Sequence, residues 1–352
     1  MKESTSRSIT PPLPPLVELE ITIRCNLRCV MCTQPFWSEA VADMPWERFA
    51  SIVHNLGIGG AYRPRIELHG VGESLLHRDF FRMVGYLRER GATVQLTSNF
   101  TLLDERAADR LLEAGINGVR ASIDGGTRET YESIRVGAKF DRVIANARNF
   151  AEKRLAVSPR PSFIMNSVIS RRNAMEVALL ADLAADMRVD ECQLINVVSS
   201  DPSERADLAE PAVADAMRAG IARAAARDVR LAFKYFDPPA IAALGGNNCY
   251  VIESPAACRF PFETAYVTYE GFLFPCFGGI TSMVRKAEHL DGLRGQLIDV
   301  ARQYGNVADT PLSVVWQSDE YRALRGELLG DRRAPLCAAC AYLPEEGAIW
   351  AS

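Results

Sequence analysis

The sequence predicts an α/β protein: a partial (β/α)6 barrel followed by a small C-terminal module. Three observations carry that expectation. Short β-rich runs alternate with amphipathic helical stretches through the first two thirds of the chain, the rhythm of a parallel sheet whose strands are joined by helices. The rhythm breaks after Val198, where the polar stretch SSDPSERADLAEP begins. The cysteines stand in two main groups, Cys25, Cys29 and Cys32 directly after the first strand, and Cys249, Cys258, Cys276, Cys337 and Cys340 in the last third.

In chain order, residues 1–15 read as an N-terminal extension with a Pro-rich entry at 11–15. The first strand is LVELEITI (16–23), followed by the helix WERFASIVHNL (46–56). RIELHG (65–70) leads to DFFRMVGYLRERG (79–91), which ends on a glycine, and TVQLTS (93–98) leads to DERAADRLLEAG (104–115). GVRASID (118–124) precedes TRETYESI with FDRVIANARNFAEK (127–153); PSFIMNSVI (161–169) precedes NAMEVALLADLAADM (173–187); ECQLINVV (191–198) is the sixth strand. Each helix carries one apolar stripe to lay on the sheet. An Ala-rich helix, AVADAMRAGIARAAARD, and a strand, VRLAFKYF, complete a barrel domain spanning 16–235. Residues 236–352, with Gly245-Gly246, Pro255, Pro261, Pro275 and Gly278-Gly279, form a linker and a loop-rich module of the kind that needs a staple to fold.

A 352-residue chain that is 48% apolar and 24% charged has the composition of a globular enzyme. No cationic n-region leads into an apolar h-region, and no run reaches the eighteen apolar residues of a membrane span, so a cytoplasmic protein with no membrane partner is expected. A net charge of −4 without a dense Lys/Arg run argues against nucleic acid and suits a cationic substrate. Nine cysteines, odd in number and unevenly spaced, argue for metal rather than disulfides; Cys192, inside an apolar run, reads as core.

The motif Cys25-x3-Cys29-x2-Cys32 supplies three thiolates within local reach, whereas a structural zinc or a closed iron–sulfur cluster takes four protein ligands. Three thiolates on a four-iron cube leave one iron open to chelate the amino and carboxylate groups of a small molecule. The alternative is a zinc site completed by a distant ligand. The run IRCNLRCVMC resembles the signature of the radical S-adenosylmethionine (SAM) superfamily, which implies that the open iron binds SAM and cleaves it reductively to a 5′-deoxyadenosyl radical. The resemblance extends along the strand ends. Gly70-Val71-Gly72-Glu73-Ser74 is similar to the family's Gly-Gly-Glu-Pro element, implying that Gly70, Gly72 and Glu73 hold the SAM amino group; Val71 and Ser74 depart from it. Thr97-Ser98-Asn99 matches the position of SAM ribose or methionine contacts, implying that role for Ser98 and Asn99. Ser122 and Arg135 match the residues that meet the methionine carboxylate, the natural partner of a guanidinium. Helix capping by Ser122 and a surface charge at Arg135 are the alternatives. Met31 replaces the aromatic residue many relatives carry beside the third cysteine.

Cys258-x17-Cys276-x60-Cys337-x2-Cys340 gives four thiolates, enough to close one further [4Fe–4S] cluster and too few for two; tetrahedral zinc is the alternative. GFLFPCF and the terminal CAAC resemble the twitch module, the one-cluster relative of the SPASM extension, so the module is expected to be of the Fe–S, twitch-like kind. Cys249 is then left over, in a Gly-rich loop between barrel and module. A thiol S–H is weaker than a C–H bond, so Cys249 can return a hydrogen atom to a substrate radical. The alternatives are a small buried hydrophobe, or a ligand in place of Cys258.

Over nearly the whole chain the sequence is similar to twitch-type radical SAM enzymes of aminoglycoside biosynthesis. That resemblance implies an epimerase acting on a small cationic sugar, with two [4Fe–4S] clusters, SAM, and an external one-electron reductant of flavodoxin or ferredoxin type. A dehydrogenase that oxidises an amino-cyclitol or sugar alcohol to a ketone is the second reading, and a peptide maturase with a zinc-stapled binding domain a third. Only 24 residues precede Cys25, too few for an additional leader-binding or cobalamin domain, which favours a small molecule. Glu20, Asp237, Glu253 and Glu263 are candidate partners for substrate amines, and His69 and His77 read as structural.

Overall fold

A computed structural model describes residues 7–32, 42–197, 204–278, 293–338, 340 and 342–343. Val198, the first half of the polar stretch after it and Gly279 lie outside the described residues. The strands are β1 (Leu16–Leu19), β2 (Arg28–Cys29), β3 (Arg65–Leu68), β4 (Thr93–Ser98), β5 (Gly118–Ser122), β6 (Arg135–Val136), β7 (Ser162–Ile169), β8 (Glu191–Asn196), β9 (Leu231–Lys234), β10 (Cys249–Tyr250), β11 (Thr264–Val267) and β12 (Leu273–Phe274). Ten of them form one sheet in the order β10-β9-β8-β7-β5-β4-β3-β1-β11-β12, and β2 and β6 form a separate two-stranded ribbon. Every neighbouring pair in the large sheet is parallel except β11 and β12. The six expected barrel strands stand side by side in their expected sequence, a partial, open barrel.

The helices between them form where the apolar period is 3.6. In α1 (Trp46–Leu56), Phe49, Ile52, Val53 and Leu56 make one buried stripe, and Gly57 ends the helix at φ 69°, a left-handed conformation that a residue without a Cβ adopts freely. α2 (Phe80–Glu89) and α3 (Glu105–Glu113) follow β3 and β4, and the stretch 127–153, expected to be helical, is α4 (Arg128–Ile134) and α5 (Phe140–Lys153) separated by β6.

The βα rhythm runs on past Val198, contrary to the expected break. The Ala-rich α7 (Pro211–Ala226) packs on α6 (Val177–Asp186) so closely that a Cβ on Gly220 would lie 2.2 Å from Val177 Cγ1, and the chain then returns into the sheet as β9 and β10. The buried stripe of α7 is Val213, Met217, Gly220 and Ala224, half of it small residues, which weakens the apolar signal of this unit in the sequence. At the other edge, β11 of the C-terminal module pairs with β1, Tyr266 opposite Glu18, so the module extends the barrel sheet.

Parallel register sorts the side chains. Val17, Leu19, Ile66, Leu68, Val94, Leu96, Phe163, Leu194 and Phe233 occupy the outer, helix-covered face and are at most 1% exposed. Cys192 is fully buried on that face, as core. The inner face carries Glu18, Glu67, Gln95, Thr97, Arg120, Ser122, Asn166, Gln193 and Lys234. Among the described residues no helix is long and apolar enough to cross a membrane.

Candidate active site

The loop after β1 holds Cys25, Cys29 and Cys32, all partly buried. The Leu27 amide approaches Cys25 Sγ at 3.5 Å, and the Cys32 amide donates to the Cys29 carbonyl at 3.0 Å, a local turn that the spacing of the three residues permits. Antiparallel pairing of Cys29 with Arg135 then fixes the loop to β6. Burial pushes the Cys29 thiol up to about 11, opposed by the neighbouring Arg135 guanidinium. Iron binding therefore has to displace these protons.

Glu73 ties the next two strand ends together. Its Oε1 accepts from Ser98 Oγ at 2.9 Å and from the Leu75 amide at 3.2 Å, while Oε2 accepts from the Asn99 amide at 2.7 Å. Asn99 in turn donates to Asn26 Oδ1, at 3.0 Å, in the cysteine loop. The glycines before Glu73 are required sterically. A Cβ on Gly72 would lie 2.3 Å from the Thr22 carbonyl oxygen, and one on Gly70 would lie 2.5 Å from Glu20 Oε2. Gly70, Gly72, Glu73, Ser98 and Asn99 are thus gathered against the cysteine loop. Ser122 sits on the inner face opposite Asn166, without a side-chain partner among the described residues.

Arg135 has a partner inside the fold. Its Nε and Nη2 both lie 2.7 Å from Asp124 Oδ2, and Nη1 lies 4.0 Å from Cys29 Sγ. Asp124 is fully buried and also accepts from the Val168 amide at 2.7 Å. The guanidinium therefore joins the end of β5 to the cysteine loop instead of standing as a surface charge. Asp124 was missed as its partner because nothing local in the sequence marks two residues eleven apart as a buried pair.

Glu20, one of the candidate partners for amines, is 3% exposed, and its Oε2 accepts from the Val71 amide at 3.0 Å and from the Tyr266 hydroxyl at 2.7 Å. Burial raises its carboxyl to about 7. The other three acids are elsewhere: Asp237 caps the helix Pro238–Ala243, Glu263 pairs with Arg259 at 2.6 Å, and Glu253 is exposed. His77 is structural, with Nε2 2.9 Å from the Met44 carbonyl oxygen. His69 faces the interior, 3.2 Å from Glu18 Oε1, with the Phe277 ring centroid 5.3 Å away. Arg120 lies 2.5 Å from Glu67, holding that carboxyl well below the usual range, at about 2. The polar inner-face residues were not singled out from sequence, although the alternation Arg-Ile-Glu-Leu-His in β3 and beyond signals a polar face opposite an apolar one.

In the module, Cys258, Cys276, Cys337 and Cys340 line one cavity together with Ile252, Leu336 and Leu343. Zn–S bonds of 2.3 Å would draw tetrahedral thiolates to about 3.8 Å from one another. Among the described residues no three His, Cys, Asp or Glu side chains are gathered for a single metal ion. Four thiols around one apolar cavity are the donor set of a closed four-thiolate site.

Cys249 is outside this quartet and outside the Glu73 group. It opens β10 opposite Phe233, on the outer-face register, and its thiol donates to the Phe236 carbonyl at 3.5 Å. Burial and the nearby Asp237 raise it to about 11, so it is a protonated thiol at neutral pH.

Residues 19–169 match the radical SAM superfamily, and residues 258–341 match SPASM, an iron–sulfur cluster-binding domain. The chain is 23% identical to the tungsten-containing aldehyde ferredoxin oxidoreductase cofactor-modifying protein of Pyrococcus furiosus, over 87% of this chain and 82% of the relative. It spans about half the length of the next curated relatives. Among solved structures, Streptococcus suis SuiB bound to its precursor peptide SuiA superposes with a TM-score of 0.64 at 15% identity, covering 93% of this chain and 76% of that one. BtrN in complex with AdoMet and 2-DOIA superposes with a TM-score of 0.50 at 17% identity, covering 93% and 92%. These likenesses share the fold. The first domain implies a [4Fe–4S] cluster with SAM, for which its matched segment offers Cys25, Cys29 and Cys32, and the second implies further iron–sulfur binding, for which its matched segment offers Cys258, Cys276, Cys337 and Cys340. The chain carries a radical SAM domain followed by a SPASM iron–sulfur cluster-binding domain.

Proposed function

We propose that this radical SAM enzyme is an epimerase that inverts one sugar carbon of an aminoglycoside, of the neomycin C to neomycin B type. When bound, the first cluster and SAM supply the 5′-deoxyadenosyl radical that removes a hydrogen atom from the substrate. The chain's own groups do the rest. Glu73, Ser98, Asn99 and Ser122 hold and orient SAM beside the cysteine loop, and Arg135 fixes that loop through Asp124. Cys249 gives its hydrogen atom to the opposite face of the substrate carbon: the S–H bond breaks, a C–H bond forms, and the resulting thiyl takes one electron and one proton to restore the thiol. The electron comes from an external reductant of flavodoxin or ferredoxin type; Cys258, Cys276, Cys337 and Cys340 would hold a cluster able to supply outer-sphere electron transfer.

The observation that carries this reading is that Cys249 stands apart from the four cysteines of the module cavity and holds its proton at neutral pH, the form a hydrogen-atom donor needs. One observation favours the second reading, a dehydrogenase that needs no donor: the register of β10 sets Cys249 with Phe233 rather than with Lys234.

Anaerobic turnover in heavy water, with SAM, reductant and candidate aminoglycosides, separates the two. The epimerase places one solvent deuterium on carbon, and Cys249→Ala keeps about eight irons per chain and cleaves SAM while forming almost no inverted product. A product lighter by two hydrogens, formed equally well by Cys249→Ala, establishes the dehydrogenase.

A further inference from the structure

The inner face of the barrel contains polar groups that the fold itself leaves unsatisfied. Lys234, the last residue of β9, has no hydrogen-bond or ion-pair partner among the described residues. Its ammonium lies within electrostatic reach of Arg120, Glu67 and Glu191, which places it inside the barrel, and burial pushes its pKa down. Gln193 is 7% exposed, and its Oε1 is buried without a partner; its amide orientation is set because Nε2 donates to Glu191 Oε1 at 2.6 Å. Asn166, opposite Gln193 on β7, likewise has a buried, unpartnered Oδ1. Across the barrel, Glu18 gives one oxygen to His69 and leaves Oε2 buried and unpaired.

We propose that Lys234, Gln193, Asn166 and Glu18 form the substrate-recognition surface of the inner face, and that they bind a ring bearing both hydroxyl and amino groups. The polarity of the four groups selects this chemistry. Lys234 offers only donors, whereas Gln193 Oε1, Asn166 Oδ1 and Glu18 Oε2 offer only acceptors. A carboxylate or phosphate would satisfy Lys234 and face three oxygens with no proton to share. A ligand with amines alone would serve the oxygens and repel Lys234. A hydroxyl both accepts and donates, so it can bridge Lys234 to Gln193 or Asn166, while Glu18 takes an ammonium. The proposal rests on the aminoglycoside reading above and assigns the residues that would read such a substrate.

The test is calorimetric titration of the SAM-loaded, two-cluster enzyme with neomycin B as probe. Lys234→Met and Gln193→Leu are each expected to weaken binding at least tenfold with iron content and SAM affinity as in the wild type, while Glu152→Gln, at an exposed position on α5, binds the probe as the wild type does. Unchanged affinity in both inner-face variants overturns this assignment and leaves the aminoglycoside reading standing. No binding of neomycin B to the wild type overturns that reading and this proposal with it. Should Lys234→Met lose iron, Asn166→Ala, at a less buried position, decides between the same outcomes.

Discussion

Glu20 is held between the Val71 amide and the Tyr266 hydroxyl, and its carboxyl is raised from the ordinary glutamate value of 4.5 to about 7, mainly by burial and further by Glu270. Between those two values the unfolded chain has lost this proton and the folded chain keeps it, so the folded state binds more protons and stability falls as pH rises through the window. Above about 7 the loss is complete, at roughly 3 kcal/mol. Glu20→Gln keeps an acceptor for both donors and removes the ionisation. Urea unfolding should show the variant gaining on the wild type from pH 5 to pH 8; parallel stability curves would contradict the account. At Glu73 the charge is committed to three donors on neighbouring segments. Glu73→Gln turns one of those acceptors into a donor, and SAM affinity should fall by about 1.5–3 kcal/mol, as equilibrium dialysis would show.

The cysteine loop owes its position to the β2–β6 ribbon and to the close approach of the loop after β3. Among the described residues Asp124 is the only carboxylate bonded to the Arg135 guanidinium, so Asp124→Ala leaves a largely buried charge without that partner and should cost about 3–5 kcal/mol. Loss of the first cluster should accompany it, seen as a fall in iron content, because the same guanidinium lies beside Cys29. Gly72→Ala acts by contact alone. Its Cβ would meet two backbone carbonyls, those of Thr22 and Arg24, which cannot swing aside as a side chain can. Weakened SAM binding with retained module iron is expected.

At the scale of the whole molecule, the two ends of the chain are sewn together. Trp316 Nε1 donates to the Pro12 carbonyl at 2.8 Å, Gln317 Nε2 to Pro11 at 2.7 Å, and Arg325 Nη1 to Ile9 at 3.2 Å. Arg325 is fully buried, 4.2 Å from the Trp316 ring centroid, and also donates to the Pro261 carbonyl at 2.9 Å. Removing residues 1–12 strips acceptors from three donors and should lower stability by about 3 kcal/mol, read as earlier thermal unfolding of the two-cluster protein. An unaltered midpoint would make the N-terminal strap dispensable. The module also reaches the barrel interior through Tyr266 on Glu20 and Phe277 on His69, so its folding and the shape of the inner face are coupled.

The sequence by itself determined the six barrel strands and their order, the cysteine loop, and the gathering of Gly70, Gly72, Glu73, Ser98 and Asn99. The strands rest on local periodicity and the cysteine loop on its short spacing, whereas the grouping of Gly70, Gly72, Glu73, Ser98 and Asn99 is implied by the family resemblance. The sequence leaves open whether Cys249 or Cys258 is the spare thiol; that Cys258, Cys276, Cys337 and Cys340 line one cavity is a tertiary observation. Tertiary structure alone decided that Arg135 answers to Asp124, that β9, β10 and β11 extend the sheet, and that Glu18, Asn166, Gln193 and Lys234 share one face. Each of those depends on pairing between segments distant in the chain, and parallel register, which no short window of sequence contains, decides which side chains meet.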